Sequence, residues 1–351
     1  MTATNSKRHL QRFFNRCAIL VSLVALIVLT IVVVVGIRVQ TARFPAFLGN
    51  RTENIRHIKT TTDPNEFTFA VVGDVKCGTA TFEEMLDILR GDKPAFISVL
   101  GDFVDHAEFA SHKLFAFEMS EHTQNFPMLL VPGNHDIATN GPFRIEDFEN
   151  TYGPAQFSFS LGNCLFVFLD VISVNGRTGQ YLEFLDEALS RPTEKRDKTF
   201  VFMHIPPSEL NSSLQCRELP HSEKFLRLAQ KHRVTYVFAG DHHGYVKTER
   251  EGTTFIVTGG GGAKLRGHHG RFHHLVRMSV KHDMVTETVI IAKKQQETTE
   301  LIERNIAVYL WPLLTYNYVS IAVTFVILGL VIWSLLFSLR QRKRLVKKIV
   351  L

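Results

Sequence analysis

Two charge-free apolar runs bracket this chain, and they constrain its fold more than any other feature. Cys17 to Ile37 (CAILVSLVALIVLTIVVVVGI) carries only Ser22 and Thr30 as hydroxyls, and Val319 to Phe337 (VSIAVTFVILGLVIWSLLF) is equally free of charge. Wound as a helix, the first run is about 31 Å long, enough to cross a bilayer core. A cleavable signal peptide would have a shorter apolar region and a small-residue cleavage site. A helix buried in a soluble domain would not stay apolar for so long. The expectation is a chain anchored at both ends, with residues 38–315 between the anchors.

The charges point the same way. Residues 1–37 hold Lys7, Arg8, Arg12 and Arg16, and residues 316–351 hold Arg340, Arg342, Lys343, Arg344, Lys347 and Lys348, with no acid in either stretch. The net charge of +6 therefore belongs to the ends, and the middle, with thirty bases against all 34 acids, is slightly acidic. Such a balance suits membrane flanks and excludes a nucleic-acid groove. Trp311, Tyr316 and Tyr318 edge the second run, where amphipathic rings favour the headgroup level. By the positive-inside rule both termini are expected in the cytoplasm and the middle on the extracytoplasmic side, lumenal in a eukaryote. The expected organisation is a basic N-terminus (1–16), membrane helix (17–37), linker (38–64), folded domain (65–292), juxtamembrane segment (293–315), membrane helix (316–339) and basic tail (340–351). Four Cys without a CxxC spacing exclude a disulfide scaffold and a zinc finger. Asn50-Arg51-Thr52 and Asn211-Ser212-Ser213 are glycosylation sequons, meaningful only in a eukaryotic host.

Between the anchors, short apolar runs alternate with amphipathic stretches. Phe67–Val72, Ala95–Leu100, Phe126–Val131, Cys164–Leu169, Thr199–Met203, Val234–Phe238 and Thr254–Val257 read as buried strands. Phe82–Leu89, Tyr181–Leu189 and Phe225–Ala229 read as helices, and Leu275–Val280 with Met284–Ile291 as a hairpin. This is an α/β layered pattern, in which ligands sit at the carboxyl ends of strands.

Those ends are patterned: Gly73-Asp74, Gly101-Asp102-Phe103-Val104-Asp105, Gly133-Asn134-His135-Asp136, His204, and Gly240-Asp241-His242-His243. Carboxylate, amide oxygen and imidazole together suit Mn, Fe or Zn, and the lack of thiolates argues against structural zinc. An Asp after a strand more often caps a helix, and a lone His more often has a structural role. Five such pieces at successive strand ends outweigh that reading. The glycine run Gly259–Gly262 lacks the Lys and Ser/Thr of a P-loop and reads as a tight strand-to-loop passage, and His268, His269, His273 and His274 as a solvated loop.

In these motifs the sequence resembles the calcineurin-like metallophosphoesterase superfamily, whose pattern runs DxH, GDxxD, GNHD, a lone His and GHxH. GDFVD (101–105) and GNHD (133–136) match fully; FMHIPP and GDHHGY fall where the last two are expected. The resemblance implies a four-layer α/β/β/α sandwich, two divalent ions, and hydrolysis of a phosphomonoester, phosphodiester or pyrophosphate bond. It implies Asp74, Asp102 and His243 as ligands of a first ion. Asp102 would bridge to a second, held also by Asn134 and His204. His135 would act on the phosphate as stabiliser or acid, and Asp105 and Asp136 would orient the ligands. Two positions depart from the pattern: Lys76 replaces the His of DxH, and Asp241 replaces the first His of GHxH. Asp241 can ligate. Lys76 cannot, so either the first ion is weakly held, with Asp105 as a substitute donor, or Lys76 grips phosphate in its place. The expected function is phosphoester hydrolysis at a membrane, with a lipid- or envelope-linked substrate, and the alternative is a non-catalytic binding module on a degenerate scaffold.

Overall fold

Phenylalanine sets the arrangement of the middle of the chain. In β1 (Glu66–Val72), Phe67, Phe69 and Val71 face one way while Ala70 and Val72 face the other. In β5 (Cys164–Phe168) and β6 (Lys198–Phe202), Phe166, Phe168, Phe200 and Phe202 alternate with Leu165, Val167 and Val201. Side chains along a strand point to opposite faces, so strands like these have two apolar sides, and both must be covered. The Phe sides cover each other, and the aliphatic sides are left for helices.

The computed structural model describes residues 3–76, 78–121, 126–173, 180–191, 196–211, 214–266, 270–294 and 298–350. It divides into two compact units, Ala42–Leu301 and a helical unit of Met1–Thr41 with Ile302–Leu351. In the larger unit one sheet runs β11 (Met284–Ile291), β10 (His274–Lys281), β1, β2 (Ile97–Val99), β3 (Met128–Leu130). The other runs β4 (Phe157–Leu161), β5, β6, β7 (Tyr236–Ala239), β9 (Thr253–Thr258), β8 (Tyr245–Arg250). Strands β1, β2 and β3 are parallel, as are β5, β6, β7 and β9. Register sets Val72 beside Val99 and Val99 beside Leu130, so the strand ends of the first sheet come out level.

Three apolar layers follow. Between the sheets Phe69 stacks on Phe96 at 5.1 Å and meets Phe200 edge-on at 5.2 Å. On the outer face of the first sheet lie α3 (Thr79–Asp92), α4 (Phe109–Glu121) and α5 (Ile145–Tyr152), through Met85, Phe115 and Tyr152. On the outer face of the second lie α6 (Gln180–Ser190) and α7 (Ser222–Lys231), through Leu185 and Phe225. The result is the four-layer α/β/β/α sandwich.

The stretch expected as a linker is partly folded in. Leu48 bridges to Met128, and the Gly49 N–H donates to the Met128 carbonyl at 2.9 Å, extending the β3 edge. In α2 (Thr52–Thr61) Ile58 is buried between the sheets. Asn50 is only 2% exposed; its amide donates to Leu130 O (2.7 Å) and Pro154 O (2.9 Å) and accepts from Leu130 N (2.8 Å). That sequon has no room for a glycan, while residues 212–213 of the other lie outside the described residues.

In the helical unit, α1 (Ala3–Thr41) and the last helix run antiparallel, with Ser22 Oγ 3.2 Å from Ser334 Oγ and Gly36 against the Trp311 ring. Between them come α8 (Thr298–Arg304), a π-wound turn (Asn305–Leu310) and α9 (Trp311–Thr315), before α10 (Tyr318–Val350). Arg16–Thr41 and Ala322–Arg340 have mean hydropathies of 3.3 and 2.5 and leave most side chains unburied, so both are long and apolar enough to cross a membrane.

Two predictions follow from the sandwich. Phe69→Ala removes the ring at the centre of the inter-sheet layer and should cost about 3–5 kcal/mol in denaturant unfolding. The second concerns two buried imidazoles. Burial holds His112 at a pKa of about 3 and His274 at about 4. The unfolded chain binds a proton at each below about pH 6.5 while the folded one does not, so unfolding takes up protons and stability falls as pH drops. Each should cost about 2 kcal/mol at pH 5, read as a more favourable change in stability from pH 7.5 to pH 5 in a folded His112→Gln or His274→Gln variant than in the unmodified protein. The same pH dependence in variant and unmodified protein would contradict it.

Candidate metal centre

Three aspartates after parallel strands share an uncommon backbone. Asp74 after β1 has φ 58°, Asp102 after β2 has φ 52°, and Asp241 after β7 has φ 60°. Lys76 joins them at φ 46°. The left-handed region disfavours side chains, and such strain persists only where surrounding bonds enforce it. For Asp102 the enforcing group is Asp136. Its buried carboxylate accepts from the N–H groups of Asp102 (2.7 Å), Phe103 (3.0 Å), Val104 (3.1 Å) and Gly133 (2.7 Å). Burial and the Asp102 charge push the Asp136 carboxyl up to about 7, against those N–H groups, which favour its charged form. Gly133 packs so close to Asp102 that a Cβ there would collide with the carboxylate, and Gly259 lies equally close to Asp74.

Three histidines are wired alike. His204 Nδ1 donates to Leu100 O (2.7 Å), His243 Nδ1 to Lys264 O (2.8 Å) and His135 Nδ1 to Asp105 O (2.6 Å). A carbonyl can only accept, so the proton is on Nδ1 and Nε2 faces the centre. His243 Nε2 is 3.4 Å from Asp74 Oδ1, and His204 Nε2 is 3.5 Å from Asp102 Oδ1 and 3.8 Å from Asp241 Oδ1. Donor atoms of Asp74, Asp102 and His243 all lie within 4.8 Å of one another. Burial disfavours charge on Asp102 and on His204, but each is overruled by neighbours. His204, Lys76 and His135 hold the Asp102 carboxyl low, and Asp102, Asp74 and Asp241 push His204 up to about 9.

The centre passes a test of fit for a divalent cation. Among the described residues, Asp74 Oδ1, Asn134 Oδ1 and His204 Nε2 are buried without a hydrogen-bond partner. Orphaned buried polar atoms are rare and costly, and a cation that displaces the His204 proton would give such atoms a partner. All the donors are oxygen or nitrogen, the set preferred by first-row divalent ions. His204 Nε2 lies within 3.8 Å of both Asp102 Oδ1 and Asp241 Oδ1, and Asn134 lines the cavity with Asp102 and Asp241; on the other Asp102 oxygen, Oδ2, the Lys76 ammonium sits at 3.1 Å. Donor atoms thus surround Asp102, with an ammonium on its Oδ2. Asp105 reaches the centre through its main-chain carbonyl on His135, outside the converging triad.

A cavity of about 440 Å³ opens onto these groups, lined by Lys76, Asp102, Asn134, His135, Gln215, Cys216, Arg217, Asp241 and Arg266. The sequence reading missed Gln215, Cys216, Arg217 and Arg266, which carry no motif. Arg217 donates its main-chain N–H to Asp241 Oδ2, and Arg266 donates its own to His243 O at 2.8 Å. The only signal was two arginines in polar loops beside the later motifs. Burial pushes the Cys216 thiol up to about 11, so it is protonated and a poor nucleophile. Of the histidine cluster, His274 is buried at Thr258 Oγ1 (3.0 Å) rather than solvated, His273 bonds to Gly260 O, and His268 and His269 lie outside the described residues.

Comparisons with known proteins agree with this geometry. The calcineurin-like phosphoesterase family matches residues 67–245, more than half of the chain. The serine/threonine-protein phosphatase CPPED1 of Rattus norvegicus is 26% identical over 177 residues, 45% of this chain and 53% of that protein, so the chain spans about half of that relative's length. A dimetal phosphatase from Danio rerio shares the fold at 15% identity and a TM-score of 0.52, over 66% of this chain and 98% of that one. Purple acid phosphatase PPD1 from yellow lupin (Lupinus luteus) seeds does so at 16% and 0.51, over 68% and 55%. With the sandwich, the strand-end ligand types and the family match in agreement, the chain belongs to the calcineurin-like phosphoesterases, a family of metal-dependent phosphoester hydrolases.

Proposed function

We propose that this chain hydrolyses a phosphoester on the extracytoplasmic side of a membrane, using ion ligands drawn from Asp74, Asp102, Asn134, His204, Asp241 and His243. The observation that carries this reading is the buried donor cluster of Asp74, Asp102 and His243, with orphaned polar atoms on Asp74, Asn134 and His204, at a cavity lined by Lys76, Asp102, Arg217 and Arg266. A divalent ion bound there would supply Lewis acidity to the reacting phosphoryl group. The chain's own groups do the rest. Lys76, Arg217 and Arg266 attract and orient the anion, and the bidentate reach of a guanidinium suits phosphate oxygens. His135, fixed at Nδ1 by Asp105 O, turns Nε2 toward the cavity, where its protonated form gives a proton to the leaving oxygen. Asp136 holds Asp102 and the Gly133 turn in place.

The location rests on the two apolar helices and on their basic ends, which the positive-inside rule keeps in the cytoplasm. Two tethers favour a substrate at the bilayer, such as a lipid- or envelope-linked phosphoester. The rat relative's description as a protein phosphatase makes a phosphoprotein the other class to compare. The two departures, Lys76 and Asp241, keep open a non-catalytic scaffold.

Detergent-solubilised protein stripped of metal should be inactive toward p-nitrophenyl and bis-p-nitrophenyl phosphate and recover with Mn²⁺. Activity that ignores chelation would count against the reading. His135→Ala should lower kcat about 100- to 10,000-fold while metal content stays unchanged, as expected for a proton donor. Full turnover in that variant would remove His135 from the chemistry. Preference for lipid phosphoesters in mixed micelles would support the bilayer substrate, and activity confined to soluble monoesters would sink it.

A further inference from the structure

The two sides of Asp102 are unequal. His204 Nε2 lies 3.5 Å from Asp102 Oδ1 and 3.8 Å from Asp241 Oδ1, and Asn134, whose Oδ1 is buried, lines the same cavity as Asp102 and Asp241; together these are four donors, the number a complete site needs. Asp74 and His243 form a second group with Asp102, and Lys76 Nζ lies 3.1 Å from Asp102 Oδ2. We propose that the centre holds one divalent ion, bound by Asp102, Asn134, His204 and Asp241, and that the Lys76 ammonium stands in for a second.

Three observations carry this. Lys76 is not a surface lysine passing by: its side chain is 11% exposed against 1% for Asp102, and its main-chain N–H is tied to Asp102 O at 2.9 Å. Its backbone sits in the left-handed region that the ligand aspartates also adopt, so the side chain is aimed by the fold. The charges close as well. Asp74, Asp102 and Asp241 bring three negative charges, and one ammonium with one divalent ion offsets them. A second ion would have to sit on the carboxylate oxygen the ammonium already holds, with two like charges in a buried pocket. An ammonium keeps the electrostatic part of a metal's role, gripping a phosphate oxygen, and gives up ligation. Lys76 lines the cavity where that oxygen would lie.

The inference rests on the phosphoesterase reading, and metal counting separates the two. The full-length protein in detergent, stripped and then saturated with Mn²⁺, is read by elemental analysis per chain and by electron paramagnetic resonance. The expected result is one ion per chain with the spectrum of an isolated Mn²⁺ ion. Lys76→His, which restores a nitrogen donor, should raise the count to two and give an exchange-coupled spectrum. Two ions in the unmodified protein would overturn the inference and leave the phosphoesterase reading standing. No bound ion would overturn both. A folded Lys76→His variant that stays at one ion would remove Lys76 as the cause. The count in the unmodified protein decides the matter even where the variant does not fold.

Discussion

A carboxylate hidden from solvent holds this centre in shape. Asp136 gathers four main-chain N–H groups from the loops after β2 and β3. Unpaired, a buried carboxylate would be among the most expensive groups a fold could carry; with four donors it becomes a clamp. The clamp fixes the Gly101–Val104 turn, and with it the left-handed backbone that points Asp102 inward. His135, one residue before Asp136, then donates its main-chain N–H to Asp102 Oδ1 at 2.9 Å. The Asp136 carbonyl is held in turn by His112 Nε2 at 2.9 Å. The other nitrogen of that ring meets Tyr152 OH, and its face stacks on Phe143 at 3.7 Å. A buried line of bonds therefore runs from α5 through α4 to Asp102.

The two sheets meet at the same place. His204 follows β6 of the second sheet, yet its Nδ1 is bonded to the Leu100 carbonyl, which follows β2 of the first. Asp241 N, after β7, donates to Asp74 Oδ2, after β1, at 2.9 Å. These cross-sheet bonds stand at the edge of a phenylalanine layer whose rings interlock, so the ligands are carried on a packed base rather than on loops alone. Preorganisation of this kind means that binding an ion or an anion need not first order the protein.

Legibility in the sequence followed the physics of each element. Strands β1, β5 and β6 were readable because their apolar residues are β-formers in short runs, and the ends of β1 and β6 were marked by Gly73-Asp74 and by the lone His204. Helix α4 was not readable: Ala110, Ser111, His112, Leu114, Phe115, Ala116 and Phe117 are all buried, so no polar face gives it a period. Strand β8 lies at a sheet edge with no side chain fully buried, which leaves nothing to alternate. The Gln215–Arg217 loop was invisible for another reason. Arg217 meets Asp241 through its main-chain N–H, and Gln215 meets His242 Nδ1 in the same way at 3.0 Å. Main-chain contacts leave no trace in residue identity.

The departures at positions 76 and 241 make sense only as a set with that loop. Replacing an imidazole by Asp241 adds a negative charge where Asp74 and Asp102 already lie, and like charges so close would drive one of them to protonate. Three contacts from two residues counter this. Arg217 offers a main-chain N–H to one Asp241 oxygen and its Nε lies 4.0 Å from the other, while Lys76 neutralises Asp102. The middle of the chain is slightly acidic, yet its cavity is rimmed by cations, so net charge is a poor guide to what the pocket attracts. Removing Arg217 or Lys76 alone would leave a carboxylate short of its partner.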